Sequence, residues 1–177
     1  MLIAINRVMA WTEPEEATRE RFLEVIKGFD TGILLTHKRD GSLHGRPMAL
    51  ADVDSDGVLW FLTRVDSPKV EEIQSDPRAL VTCEAANQFA TIEGHCEIAR
   101  NAQKINDIWK ESYKVWFDGK GDPELVLLRF QPDQGEYWDN SGTKGIQYAF
   151  RAAAAYVQGK KLTPGANDPQ THGKVAL

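Results

Sequence analysis

The 177-residue chain is poor in cysteine and histidine, and none of the few it has falls at a metal-binding or disulfide-framework spacing. If a hairpin turns near Asn87, Cys83 faces Phe89 or Ala90 while Cys96 lies well past it, so both are expected as reduced core thiols. His37, His44, His95 and His172 form no HxxxH or HExxH pair, which leaves zinc chemistry without ligands. Positive charge is also in deficit: 21 Lys and Arg stand against 26 Asp and Glu, a net charge of −5. Such a chain has no diffuse field for holding phosphate backbones, so nucleic acid is not an expected partner and any basic site must be local. The stretch from Met1 to Trp11 lacks the apolar run of a signal peptide, and no membrane span is legible, which sets the expectation of a cytoplasmic protein. There is no repeat and no interdomain linker. What remains, with 42% hydrophobic and 27% charged residues, is one globular domain.

Order along the chain gives the class. Thr12-Glu13-Pro14-Glu15 reads as a capping box opening a helix, on which Phe22, Val25, Ile26 and Phe29 form one apolar stripe. After Gly32 the period changes: Ile33 to His37, a turn at Asp40-Gly41, Leu43 to Asp52, a turn at 54–57, and Val58 to Arg64 make a three-stranded meander. Ser67-Pro68 begins a short helix that ends near Asp76-Pro77. Arg78 to Ala85 and Phe89 to Ala99 are strands, Asn101 to Phe117 a helix, Glu124 to Phe130 and Gly135 to Trp138 two further strands, and 145–158 a last helix. Residues 159–177 read as a loose tail. Strands in short-turn succession, with helices inserted rather than alternating, predict an α+β domain built on an antiparallel barrel with helical covers.

One place gathers chemistry. An even-length turn at 54–57 sets Met48 opposite Thr63, with Arg46 one diagonal step away on the same face. The helix starting at Ser67 then brings the first amides of its opening turn, those of Lys69 and Val70, to the same end. Lys69 at the second helical position is a cation at the positive end of a dipole, disfavoured by up to ~1 kcal/mol unless an anion lies beside it. Arg46, Thr63, Ser67 and Lys69 together suit a phosphate dianion. The alternative is that Ser67 is only a cap, Lys69 is solvated, and Arg46 pairs with Asp52 or Asp66. His44, near Arg46, reads as surface, and no other side chain stands out as a general base.

The segments Arg46-Pro47-Met48-Ala49-Leu50, Leu59-Trp60-Phe61-Leu62-Thr63, Ser67-Pro68-Lys69, Asp76-Pro77-Arg78, then Gly94 and Glu136-Tyr137-Trp138, resemble in that order the pyridoxamine 5'-phosphate oxidase-like, FMN-binding split-barrel superfamily. Ile108-Trp109, Trp116-Phe117 and Gly121-Asp122-Pro123 are similar to its general stress protein 26 branch, and the resemblance spans roughly residues 15–158. It implies an antiparallel FMN-binding split β-barrel with helical covers. It also implies that Arg46, Thr63, Ser67 and Lys69 hold the FMN phosphate, that Pro47, Met48 and Ala49 border the isoalloxazine with Leu62 nearby, and that Trp138 approaches from the second subunit of a homodimer. Trp109 and Trp116 are further candidates for the rim. The implied function is a flavin-dependent oxidoreductase acting on a small molecule, with a non-catalytic flavin binder, an FMN store or redox-sensing stress protein, as the alternative; deazaflavin users also occur in the superfamily. The chain departs from the oxidases proper at Lys161-Leu162-Thr163-Pro164, which lacks the arginine of their Arg-Leu-x-Pro finish, and Gln88 follows a shorter loop. Pyridoxamine phosphate oxidation itself is therefore not the expected activity.

Overall fold

In the computed structural model, residues 13–141 and 172–177 are described, with side chains from Glu15 onward. Helix α1 (Glu13–Lys27) begins where expected; the cap at Thr12 and the helix expected at 145–158 lie outside the described residues. Phe22, Val25, Ile26 and Phe29 are all buried, and Gly135 leaves the space that the Phe22 ring fills. Each such side chain contributes ~1.5–3 kcal/mol by leaving water.

Strands β1 (Thr31–His37), β2 (Leu43–Ala49), β3 (Asp52–Val53), β4 (Leu59–Arg64), β5 (Arg78–Ala85), β6 (Gln88–Ala99), β7 (Leu125–Asp139) and β8 (His172–Ala176) form one antiparallel sheet in the order β2-β1-β5-β6-β7-β4-β3, with β8 also on β7. It curls into a split barrel of α+β class. Helix α2 (Pro68–Ser75) links β4 to β5, and α3 (Ala102–Ile108) lies in the connection from β6 to β7. No helix among the described residues is long and apolar enough to cross a membrane.

Four local expectations are corrected. The turn after β3 has three loop residues, not an even number: Asp54 N donates to Val58 O at 2.9 Å, and Gly57 takes φ +88°, the left-handed residue that such a loop requires. Asp52 therefore pairs with Trp60 and Val53 with Leu59, one step from the expected register. Moreover, Leu50 and Ala51 interrupt the long strand, so β2 forms its ladder with β1 alone and Met48 is not a ladder partner of Thr63.

The expected pair of strands between 124 and 138 is one strand of 15 residues. Pro132 sits at an irregularity where Gly94 is its partner and the register slips by one, a position that tolerates a residue with no N–H. A methyl on Gly94 would meet the Gln131 carbonyl oxygen at 2.1 Å, so only glycine admits this close approach.

The helix expected over 101–117 stops at Ile108; Trp109 and Lys110 are extended, and a 3₁₀ turn (Glu111–Val115) follows. The apolar spacing is compatible with one continuous helix. The break instead folds Tyr113 back edge-on against Trp109, at 5.8 Å, and buries Tyr113 and Phe117 with Ile105 and Ile108.

The end of the expected loose tail is strand β8. β4 covers one edge of β7 only from Leu125 to Phe130, and β8 pairs with residues 134–138. There Val175 is buried, and Gly173 passes tightly against Tyr137.

Candidate functional site

A cavity of about 320 Å³ opens where the end of β2 meets the end of β4, the start of α2 and the 3₁₀ turn. Its walls include Pro47, Met48, Ala49, Leu62, Thr63, Ser67 and Lys69, seven of the nine positions expected to bind a cofactor. Its size lies at the small end of the range for small-molecule sites.

The sequence start of α2 explains the polar corner. Pro68 opens the helix, yet the Ser67 hydroxyl makes no capping bond. It lies 3.2 Å from Thr63 Oγ1, on a threonine that is 4% exposed. Lys69 Nζ donates to the same Oγ1 at 3.1 Å. Among the described residues Lys69 has no ion-pair partner and its amide no acceptor, whereas the Val70 amide, expected to be free, donates to Ser67 O at 2.9 Å. Burial, and then the nearby Arg46 guanidinium, push the Lys69 ammonium below its usual pKa. Lys69 is thus a half-buried cation whose direct side-chain hydrogen bond goes to a neutral hydroxyl, with Glu72 a weaker, more distant influence.

Arg46 does not line the cavity. Its Nη2 donates to Glu72 Oε2 at 2.5 Å and its Nη1 to Thr36 Oγ1 at 2.5 Å; Thr36 in turn donates to Glu72. His44 Nδ1 lies 2.8 Å from the other Glu72 oxygen. The arginine thus pairs with neither Asp52 nor Asp66. Burial alone would raise the Glu72 carboxyl, but the bonds from His44, Thr36 and Arg46 hold it below the ordinary carboxylate range. Glu72 therefore pairs directly with Arg46 and acts on Lys69 only as a more distant charge, outweighed there by burial and by Arg46.

Trp138 is also elsewhere. It lines a second, wider concavity of about 700 Å³ over β1, β5, β6 and β7, with Ile33, Phe89 and Cys83 among its neighbours, and it stacks on His172 at 5.4 Å. Pro47 borders both cavities. Of the two other tryptophans considered for the rim, Trp116 lines the first cavity and Trp109 does not. Tyr113, Phe117 and Arg64 also line the cavity and were not among the site residues expected from the sequence. The apolar run Val115-Trp116-Phe117 carried the signal for the aromatics, but only the break after Ile108 brings them to β4. Cys83 and Cys96 are free and buried, as expected, and burial pushes both thiols up to about 12.

Among the described residues no His, Asp, Glu or Cys lines the first cavity; its polar groups are those of Thr63, Arg64, Ser67, Lys69 and Tyr113, which with the apolar aromatic wall suit anion binding.

Comparison with known proteins agrees with this architecture. The family model described as pyridoxamine 5'-phosphate oxidase like matches residues 17–163. General stress protein 26 of Bacillus subtilis is 28% identical over 125 residues, covering 67% of this chain and 86% of that protein. The structure of the general stress FMN/FAD binding protein of Xanthomonas citri is similar with a TM-score of 0.59 at 26% identity, covering 72% of this chain and 92% of that one. A general stress protein 26 structure from Jannaschia sp. CCS1 shares the fold over 89% of this chain and 97% of its own, with a TM-score of 0.70 at 22% identity. The split barrel, the motifs strung along it and the match over most of its length together place this chain in the pyridoxamine 5'-phosphate oxidase-like family.

Proposed function

We propose that this protein binds FMN, its phosphate held by Lys69, Thr63 and Ser67 and its ring bordered by Pro47, Met48, Ala49 and Leu62. The observation that carries the reading is Lys69: half-buried, lowered in pKa, and without a direct ion-pair partner among the described residues. A phosphate ester supplies the missing charge and accepts from both neighbouring hydroxyls. Arg46, set back on Glu72, adds to the positive potential behind Lys69. The flavin-binding relative from Xanthomonas citri supports the choice of cofactor.

The protein acts as a homodimer in this reading, with Trp138 of a second copy closing the ring side of the site. Support comes from the concavity around Trp138, where Ile33 and Phe89 are 41% and 38% exposed. Free thiols at Cys83 and Cys96 support a cytoplasmic location.

Bound FMN would supply hydride or electron transfer, and an oxidoreductase acting on a small molecule is the function favoured. The chain's part is to anchor the phosphate, exclude water with its aromatic wall and orient the ring. A non-catalytic flavin store or sensor is the second reading, favoured by the lack of a His, Asp, Glu or Cys side chain in the cavity wall among the described residues.

Titration of the purified protein with FMN and with riboflavin tests the binding. FMN is expected to bind and riboflavin to bind far more weakly; equal affinity for the two removes the phosphate site, and no binding of either removes the flavin. Anaerobic reduction of the bound flavin by nicotinamide nucleotides, followed near ~450 nm, then separates the two readings. Failure with every physiological donor favours storage or sensing.

A further inference from the structure

Strand β8 brings to the edge of the Trp138 concavity a side chain that the flavin reading leaves unused. Its register against β7 sets His172 opposite Trp138 and Lys174 opposite Glu136. Alternation turns Gly173 and Val175 inward, where both are buried, and so turns His172 outward with Glu136 and Trp138. On that face the imidazole makes two contacts. It stacks on the indole, with 5.4 Å between ring centroids and 16° between the planes, and its Nε2 lies 2.8 Å from Glu136 Oε1.

An indole on an open sheet face is held only by its neighbours within that face. Trp138 has Phe89, its ladder partner on β6, on one side and His172 on the other. Phe89 has no polar handle and is itself partly exposed. His172 is anchored: the Glu136 carboxylate accepts from Nε2, which fixes both the tautomer and the swing of the imidazole. Among the described residues the charged groups on its own face are Glu136 and Lys174. On the opposite face α1 sets Thr18 beside Gly173, and Arg21 there is paired with Glu24 and Asp139. An aromatic ring tied down by a carboxylate and laid flat on a second ring restricts the orientation of that second ring.

We propose that His172 is a positioning residue for Trp138: bonded to Glu136 and stacked on the indole, it holds that ring in place for closing the ring side of a flavin bound to the second subunit. The proposal rests on the flavin reading above and gives β8 a part in it. His172 touches the flavin nowhere and acts through Trp138 alone. Anchoring of the phosphate at Lys69, Thr63 and Ser67 is independent of it.

The full chain, freed of any flavin, reads the contact directly, because an imidazolium stacked on an indole quenches its emission far more than a neutral imidazole does. Tryptophan emission is expected to rise as pH is taken from about 5 to 8, and the rise to be absent from His172→Gln and from Trp138→Phe. A wild type with no rise, or a rise that survives either substitution, overturns the proposal. FMN titration then tests the consequence, with thermal melts to verify the fold. His172→Gln keeps a bond to Glu136 and loses the stack, and is expected to weaken FMN by ~3- to 10-fold; His172→Phe keeps the stack and should stay within about twofold of the wild type. In a Trp138→Ala background His172→Gln should have no further effect. FMN affinity indifferent to His172→Gln, or a loss that persists without Trp138, overturns the proposal and leaves the flavin reading standing. A wild type that takes up no FMN overturns both.

Discussion

Arg46 on β2 and Glu72 on α2 form an ion pair at 2.5 Å, with side chains only 13% and 12% exposed. The pair ties the strand that borders the cavity to the helix that supplies Lys69, and Thr36 and His44 complete the coordination of the carboxylate. Removing one partner strands a largely buried charge. Glu72→Ala is expected to cost ~3–5 kcal/mol in urea unfolding, and the Arg46→Met, Glu72→Gln double mutant to recover part of that loss. Additive losses would mean that the two charges do not interact.

The same carboxylate sets an acid limit. Its pKa is lowered in the folded protein by its three donors, so its contribution is complete above the unfolded value, about 4.5, and is lost as pH falls through the lower folded value. The wild type should lose stability in that window more steeply than Glu72→Gln, measured as urea midpoints between about pH 5 and 2. Parallel curves would deny Glu72 this role.

Lys69 should trade stability against binding. A half-buried ammonium beside Arg46 and without a direct ion pair among the described residues is unfavourable in the apoprotein, so Lys69→Met is expected to leave apoprotein stability unchanged or raise it by up to ~1 kcal/mol. The same substitution should weaken FMN by ~1.5–3 kcal/mol, the worth of a charge-assisted bond. Loss of stability with unchanged FMN affinity would return Lys69 to a structural role.

At the irregularity between β6 and β7, Gly94→Ala places a methyl 2.1 Å from the Gln131 carbonyl oxygen, which is backbone and cannot swing aside. A loss of ~2 kcal/mol or more is expected in chemical denaturation, with the register of β7 beyond Pro132 disturbed. A neutral substitution would show that the two strands can part there without cost.

Cys96, buried in the main core and pushed up to about 12, should react with a thiol reagent at pH 8 only as fast as the fold opens, measured in a Cys83→Ala background because Cys83 borders the concavity around Trp138. Rates that do not fall when the protein is stabilised would place Cys96 within reach of solvent.

The composition, the hydrophobic periods and the local start and stop signals determined the class of fold and most of its elements. The stripe Phe22, Val25, Ile26 and Phe29, the Ser67-Pro68 helix start and the strand Arg78–Ala85 depend on neighbours within a few residues, which the chain itself displays. The clustering of Thr63, Ser67 and Lys69 was legible for the same reason, since one strand end and the next helix start lie four to six residues apart. Only the tertiary structure decided the rest. A single left-handed Gly57 moved β4 by one register step, Glu72 drew Arg46 away from the cavity, and a break after Ile108 carried Tyr113 and Trp116 to it. Strand β8 formed because β4 leaves half an edge of β7 uncovered. Each of these outcomes depends on a partner distant in sequence, whose hydrogen bonds and packing outweigh propensities that are weak within the segment itself.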